Sequence, residues 1–98
     1  MLPHSWHPRA VVELESAIEW HIAQETGRAS DLVTAVTAAL EQIGQFPESG
    51  RSVGGDVRAK EVSHFPYTLF YRSDPTEFEV LAFAHQHRRP GYWRSERR

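Results

Sequence analysis

Two pairs of side chains in the second half of the chain stand two residues apart: Arg58 with Lys60, and His85 with His87. In an extended strand such neighbours point the same way. The first pair therefore offers two cations side by side, and the second offers two imidazoles, a group whose ordinary titration near neutrality suits proton transfer. Arg72 closes another strand-like run and Tyr92 adds a phenol. Arg88, Arg89, Arg94, Arg97 and Arg98 crowd the last eleven positions against a single acid, Glu96. Cations at this density fit a phosphate-contacting surface as well as a solvated tail. Each residue also has a structural reading. Arg58 and Lys60 fit the wet side of a strand, Arg72 an ion pair or carbonyl contact, and His85 a hydrogen bond beside the core. Tyr92 and Trp93 suit a packed lid over an open sheet face as well as a base-stacking platform.

Composition narrows the chemistry. The chain has no cysteine, which excludes disulfides, thiolate catalysis and Cys-based zinc sites. Its six histidines include no His-x-x-x-His pair, so no metal and no cofactor is expected. The net charge of −2 argues against a generally basic nucleic-acid binder, but it is uneven: residues 1–49 carry −5 and residues 50–98 carry +3. No run approaches the roughly 18 apolar residues of a membrane span, and Met1 to Trp6 lacks a basic-then-apolar leader pattern. A cytoplasmic protein with no membrane partner is the expectation.

The elements that must position these residues follow from periodicity. At 98 residues with 40% hydrophobic content, the chain is expected to form one domain over 1–98. Val11, Leu14, Ile18 and Ile22 recur at steps of three or four from about Pro8 to Glu25, which predicts an amphipathic helix with Pro8 in its first turn and Gly27 just past its end. Leu32, Val36, Leu40 and Ile43 predict a second helix, stopped by Phe46-Pro47. The short connection makes the two an antiparallel hairpin.

Residues 48–56 hold three glycines and no apolar period, and they lack the Lys-Ser/Thr ending of a phosphate-binding loop, so a flexible connection is expected. The period then changes. Val57 to Ser63, Thr68 to Arg72 and Glu77 to His85 read as three strands of an antiparallel meander, and Pro3 to Trp6 as a weak edge strand. Both parities of Val80-Leu81-Ala82-Phe83-Ala84 are apolar, so both faces of the last strand should be covered. The helical hairpin covers one. Pro90-Gly91 predicts a turn that folds Tyr92 and Trp93 back.

The run Phe65-Pro66-Tyr67 through Tyr71-Arg72, then Val80 to His85, then Arg88-Arg89-Pro90-Gly91-Tyr92-Trp93 resembles the pattern of the RelE/ParE superfamily of bacterial toxins. Glu13-Leu14 with Ala17-Ile18-Glu19-Trp20, Pro47 to Arg51, and Val57-Arg58 are similar to the family's earlier segments, so the likeness spans nearly the whole chain. It implies an α+β fold, β-α-α-β-β-β, with a helical hairpin packed on a small twisted antiparallel sheet. It also implies a growth-inhibiting toxin of a type II toxin–antitoxin module, neutralised by a cognate antitoxin whose partly disordered tail folds along the toxin.

The superfamily has two activities. The RelE-like branch cleaves messenger RNA on the ribosome, and the ParE-like, plasmid-stabilisation branch poisons DNA gyrase. Cleavage needs a base for the 2′-hydroxyl, an acid for the leaving 5′-oxygen and cations for the phosphate, without a metal. Arg58, Lys60, His85, His87 and Tyr92 would supply these, with ribosome and messenger RNA as partners. Thr68 and His87, however, stand where that branch has arginines. The Phe-Pro-Tyr and Tyr-Trp signatures are more typical of the ParE-like branch. A toxin that acts by binding is therefore the first expectation, with Arg72, Arg88, Arg89, Tyr92 and Trp93 as contact residues and gyrase as target. The nuclease is the alternative, and an inactive structural relic of such a module a third reading.

Overall fold

Pro8 opens the first helix, where the absence of an N–H costs no hydrogen bond. In the computed structural model, which describes residues 1–97, α1 spans Pro8–Ala23 and α2 spans Ala29–Gln45. Arg98, counted above in the basic tail, lies outside the described residues. His7 caps α1 by accepting from the Arg9 N–H at 3.1 Å. The α2 stripe is the expected one, with Leu32, Val36, Ala39 and Ile43 buried. Gly44, in its last turn, packs closely against the N-terminus: a Cβ there would stand 2.7 Å from the Met1 side chain and 3.2 Å from the Leu2 carbonyl.

Five strands follow the order β1-β5-β4-β3-β2 across one sheet: β1 His4–Trp6, β2 Arg51–Ser52, β3 Val57–Glu61, β4 Tyr67–Ser73 and β5 Phe78–His85. The α+β fold is as expected, with two corrections. The weak edge strand exists and runs parallel to β5, so the sheet is mixed rather than antiparallel. The presumed flexible connection contains β2, which pairs with β3. Its glycines make a hairpin turn there: Gly54 and Gly55 have φ of 113° and 59°, conformations that favour glycine.

Both faces of β5 are covered, and a β-bulge shifts its alternation. Tyr71 pairs with Val80 and Phe70 with Ala82, leaving Leu81 as the extra residue. Val80 and Phe83 join the helix-side core around Leu32, Ile43, Leu69 and Tyr71. Leu81 and Ala82 join a second core with Val57 and Trp93. The folded-back C-terminal segment therefore covers the face that the helices leave open.

Tyr71 ties the sheet to the end of α2. Its buried hydroxyl donates to the Pro47 carbonyl at 2.7 Å and accepts from the Gly50 N–H at 3.0 Å. Tyr71→Phe leaves that buried amide and that carbonyl without a partner, and should cost about 1–3 kcal/mol in urea unfolding with an unchanged m-value.

Candidate functional site

The edge of β5 beyond β1 is where the site residues meet. An unpaired edge strand exposes a row of backbone groups, and here side chains and a neighbouring amide fill the row. The His7 N–H donates to the Val80 carbonyl at 2.8 Å, Arg97 donates to the Leu81 carbonyl at 3.3 Å, and the Phe83 N–H donates to Glu13 at 3.1 Å. Glu13 also accepts from the Tyr92 hydroxyl and, at 2.6 Å, from the Arg97 guanidinium. One carboxylate on α1 thus clasps β5 and the C-terminal segment together. Glu13 lies off the apolar stripe of its helix and reads as solvated in the sequence; nothing in the periodicity of α1 shows what lies across from it. Arg97, counted in the basic tail, is 7% exposed.

The clasp sets the chemistry of Tyr92. Burial first, then the hydrogen bond and charge of Glu13, push its phenol up to about 12, against the opposing pull of Arg88 and Arg97. Tyr67 shifts the same way through burial. A phenol whose folded pKa exceeds its unfolded value near 10 keeps its proton in the native state while the unfolded chain loses it. Its contribution is present in full below pH 10 and is lost as the pH rises toward 12. Alkaline unfolding should therefore steepen between pH 10 and 12, and Tyr92→Phe should flatten that fall in stability-against-pH curves.

Strand register places the other candidates. Arg58 and Lys60 oppose Tyr71 and Leu69 on the helix side of β3. Arg58 is occupied, donating to the Gly50 carbonyl at 2.9 Å, while Lys60 is half-buried. Arg72 pairs across the strands with Glu79 at 3.2 Å, which is the structural reading of that residue. His85 meets the Tyr67 ring edge-on at 5.3 Å and stacks with His87 at 5.1 Å. Trp93 is 1% exposed and packs on Phe70 at 4.8 Å, so it is a lid and not an accessible platform. The Arg88 guanidinium lies 3.9 Å over the Tyr92 ring, and Arg89 is exposed. The structure thus brings His85, Arg88, Arg89, Tyr92 and Trp93 together around one groove. Arg58, Lys60 and Arg72 stand apart from it.

A second, apolar groove of about 760 Å³ runs between α1 and the neighbouring ends of β4 and β5. Phe65, Tyr67, Phe83 and Trp20 line it, with Arg28 and Arg88 on its rim. Tyr67 stacks on Phe83 at 4.7 Å, and Arg28 covers Phe65 at 4.1 Å. Trp20 and Val12, both lining the groove, are 54% and 59% exposed, so it carries an exposed apolar patch. Trp20 lies off the apolar stripe read for α1, but nothing in that spacing shows which elements lie beside it. No helix among the described residues is long and apolar enough to cross a membrane.

Comparison with known proteins agrees with this architecture. A family model described as the ParE toxin of the type II toxin–antitoxin system, parDE, matches residues 5–90. A chain of a solved structure described as the chromosomal ParDE TA system from P. aeruginosa superposes with a TM-score of 0.72 at 17% sequence identity, covering 87% of this chain and 96% of that one. At that identity the likeness speaks for the fold. Among curated proteins, none matches the chain.

Proposed function

The chain belongs to the ParE toxin family of type II toxin–antitoxin systems, and from that premise we propose that it arrests growth by binding DNA gyrase and is held inactive by a cognate antitoxin. The observation that carries binding over RNA cleavage is the dispersal of the nuclease candidates. Arg58 is spent on a backbone carbonyl, the Tyr92 phenol is held by Glu13, and His85 and His87 lie across β4 from Arg58 and Lys60. A transesterification needs base, acid and cations within hydrogen-bond reach of one phosphate. Among the described residues Arg58 and Lys60 do not converge with His85 and Tyr92, which line a groove apart from them.

The apolar groove beside α1 suits the antitoxin. Its aromatic floor and cationic rim match an amphipathic acidic segment that orders on binding. Trp20 is the anchor of this surface, and truncating a central tryptophan commonly costs 2 kcal/mol or more of binding. Trp20→Ala should weaken antitoxin binding at least about 30-fold in calorimetry and leave the unfolding midpoint nearly unchanged.

Expression of the protein should stop growth, and co-expression of the small protein encoded beside it should restore growth. The purified protein should inhibit gyrase supercoiling and leave messenger RNA ends unaltered. Codon-phased cuts that disappear in Lys60→Ala or His85→Ala would replace this reading with the ribosome-dependent nuclease. Absence of growth arrest would leave the inactive relic.

A further inference from the structure

The groove at the C-terminal end of β5 is built differently from the apolar one. It encloses about 280 Å³ between the exposed ends of β4 and β5 and the turn at 86–92. Phe70 and Thr68 form part of its floor, and Arg51, Arg88 and Arg89 stand around it. Arg51 is neutralised by Glu61 at 3.0 Å. Arg88 and Arg89 have no such partner: among the described residues no carboxylate pairs with either, and no acceptor takes their side-chain N–H groups.

Arg88 is nevertheless held in place. Its guanidinium lies over the Tyr92 ring, 3.9 Å from the centroid, and that ring is fixed by the bond from its hydroxyl to Glu13. A guanidinium carries its donors in its own plane, an arrangement that matches the paired oxygens of a phosphate. Beside this cation, the half-buried Phe70 ring packs against Trp93 and lines the groove. Orphan cations next to an aromatic floor are the elements of a single-strand site, in which phosphate meets arginine and an unstacked base meets a ring. A duplex keeps its bases stacked and has no use for the ring.

We infer that this groove binds single-stranded nucleic acid, with Arg88 and Arg89 on the phosphates and Phe70 beneath a base. Glu13 and Tyr92 position Arg88 without touching the strand. The inference goes beyond the proposed function and holds whether or not gyrase is the target.

Fluorescence anisotropy tests it, with labelled oligothymidine and oligouridine strands of about 12 nucleotides and a duplex of equal length, titrated with the full chain between about 50 and 200 mM salt. The wild type should bind at least one of the single strands more tightly than the duplex. Which of the two binds tells DNA from RNA. Arg88→Ala with Arg89→Ala should lose about tenfold or more in affinity, and the log–log salt slope should fall by about 1.4, two contacts at about 0.7 each. Arg89→Ala alone, at an exposed position with no partner to lose, should lower the slope by about 0.7 with an unchanged unfolding midpoint, which separates the effect from misfolding. Arg88→Lys keeps the charge and loses the planar fork, so the slope should persist while affinity drops several-fold. Lys60→Ala, on the other face of the sheet, should change neither.

Absence of saturable binding, equal affinity for the duplex, or an unchanged slope in the double variant would overturn the inference. Growth arrest without strand binding would do so as well, while leaving the proposed toxin standing. Strand binding without growth arrest would do the reverse.

Discussion

Glu13→Ala should lower the free energy of unfolding by about 3–5 kcal/mol, the usual cost of removing one partner of a buried ion pair. The loss has three parts. Arg97 becomes a buried charge with no counter-ion, the Tyr92 hydroxyl loses its acceptor, and the Phe83 amide at the sheet edge is left open. Against a total stability of about 5–15 kcal/mol for a domain of this kind, that is a large fraction, and the melting temperature should fall by more than about 10 °C. Arg97→Met in the same background should restore part of it, because the unpaired charge is then gone. The two effects should be strongly non-additive, as expected for residues that share one network. Additive losses in urea titrations would show that Glu13 and Arg97 do not act as a pair.

Trp93→Ala should cost a similar amount, about 3–5 kcal/mol, by opening a cavity beneath the C-terminal segment. Its neighbours Val57, Leu81, Ala82 and Phe70 belong to a sheet and a bulge that cannot close over the space. Trp93→Phe should be much milder. The indole N–H is buried with no hydrogen-bond partner among the described residues, so phenylalanine gives up volume and also removes an orphan donor. Equal losses for the two variants would mean that the N–H finds a partner in solution.

Much of this was legible from periodicity. The apolar stripe from Leu32 to Ile43 predicted α2, and the double parity of Val80 to Ala84 predicted a strand covered on both faces. The parallel pairing of β1 was not legible. Three residues, His4 to Trp6, carry no information about which strand lies beside them, and the choice of β5 is made by the tertiary fold. β2 escaped because two residues joined by backbone bonds leave no side-chain pattern.

The site was harder to read. Residue type indicated His85, Arg88, Arg89 and Tyr92, which the structure gathers around one groove. It also suggested Arg58 and Arg72, whose charges the fold uses on a carbonyl and on Glu79. Glu13 is the converse. The apolar stripe did not pick the buried face of α1, where Ala10, Ala17 and His21 are buried while Val11 and Ile22 are exposed, and spacing alone cannot show that one polar residue of the helix will meet a segment from the far end of the chain.

Glu13 and Arg97 are 84 positions apart, and that separation sets an order of events during synthesis. A ribosome adds about 5–20 residues per second and releases the N-terminal part first. α1 can form while the remainder is still being made, but the clasp closes only once the C-terminal segment has emerged. The nascent chain therefore carries an unsealed β5 edge and an unanchored Tyr92 until Arg97 has been made and has emerged. Any activity that depends on this clasped surface would begin only then.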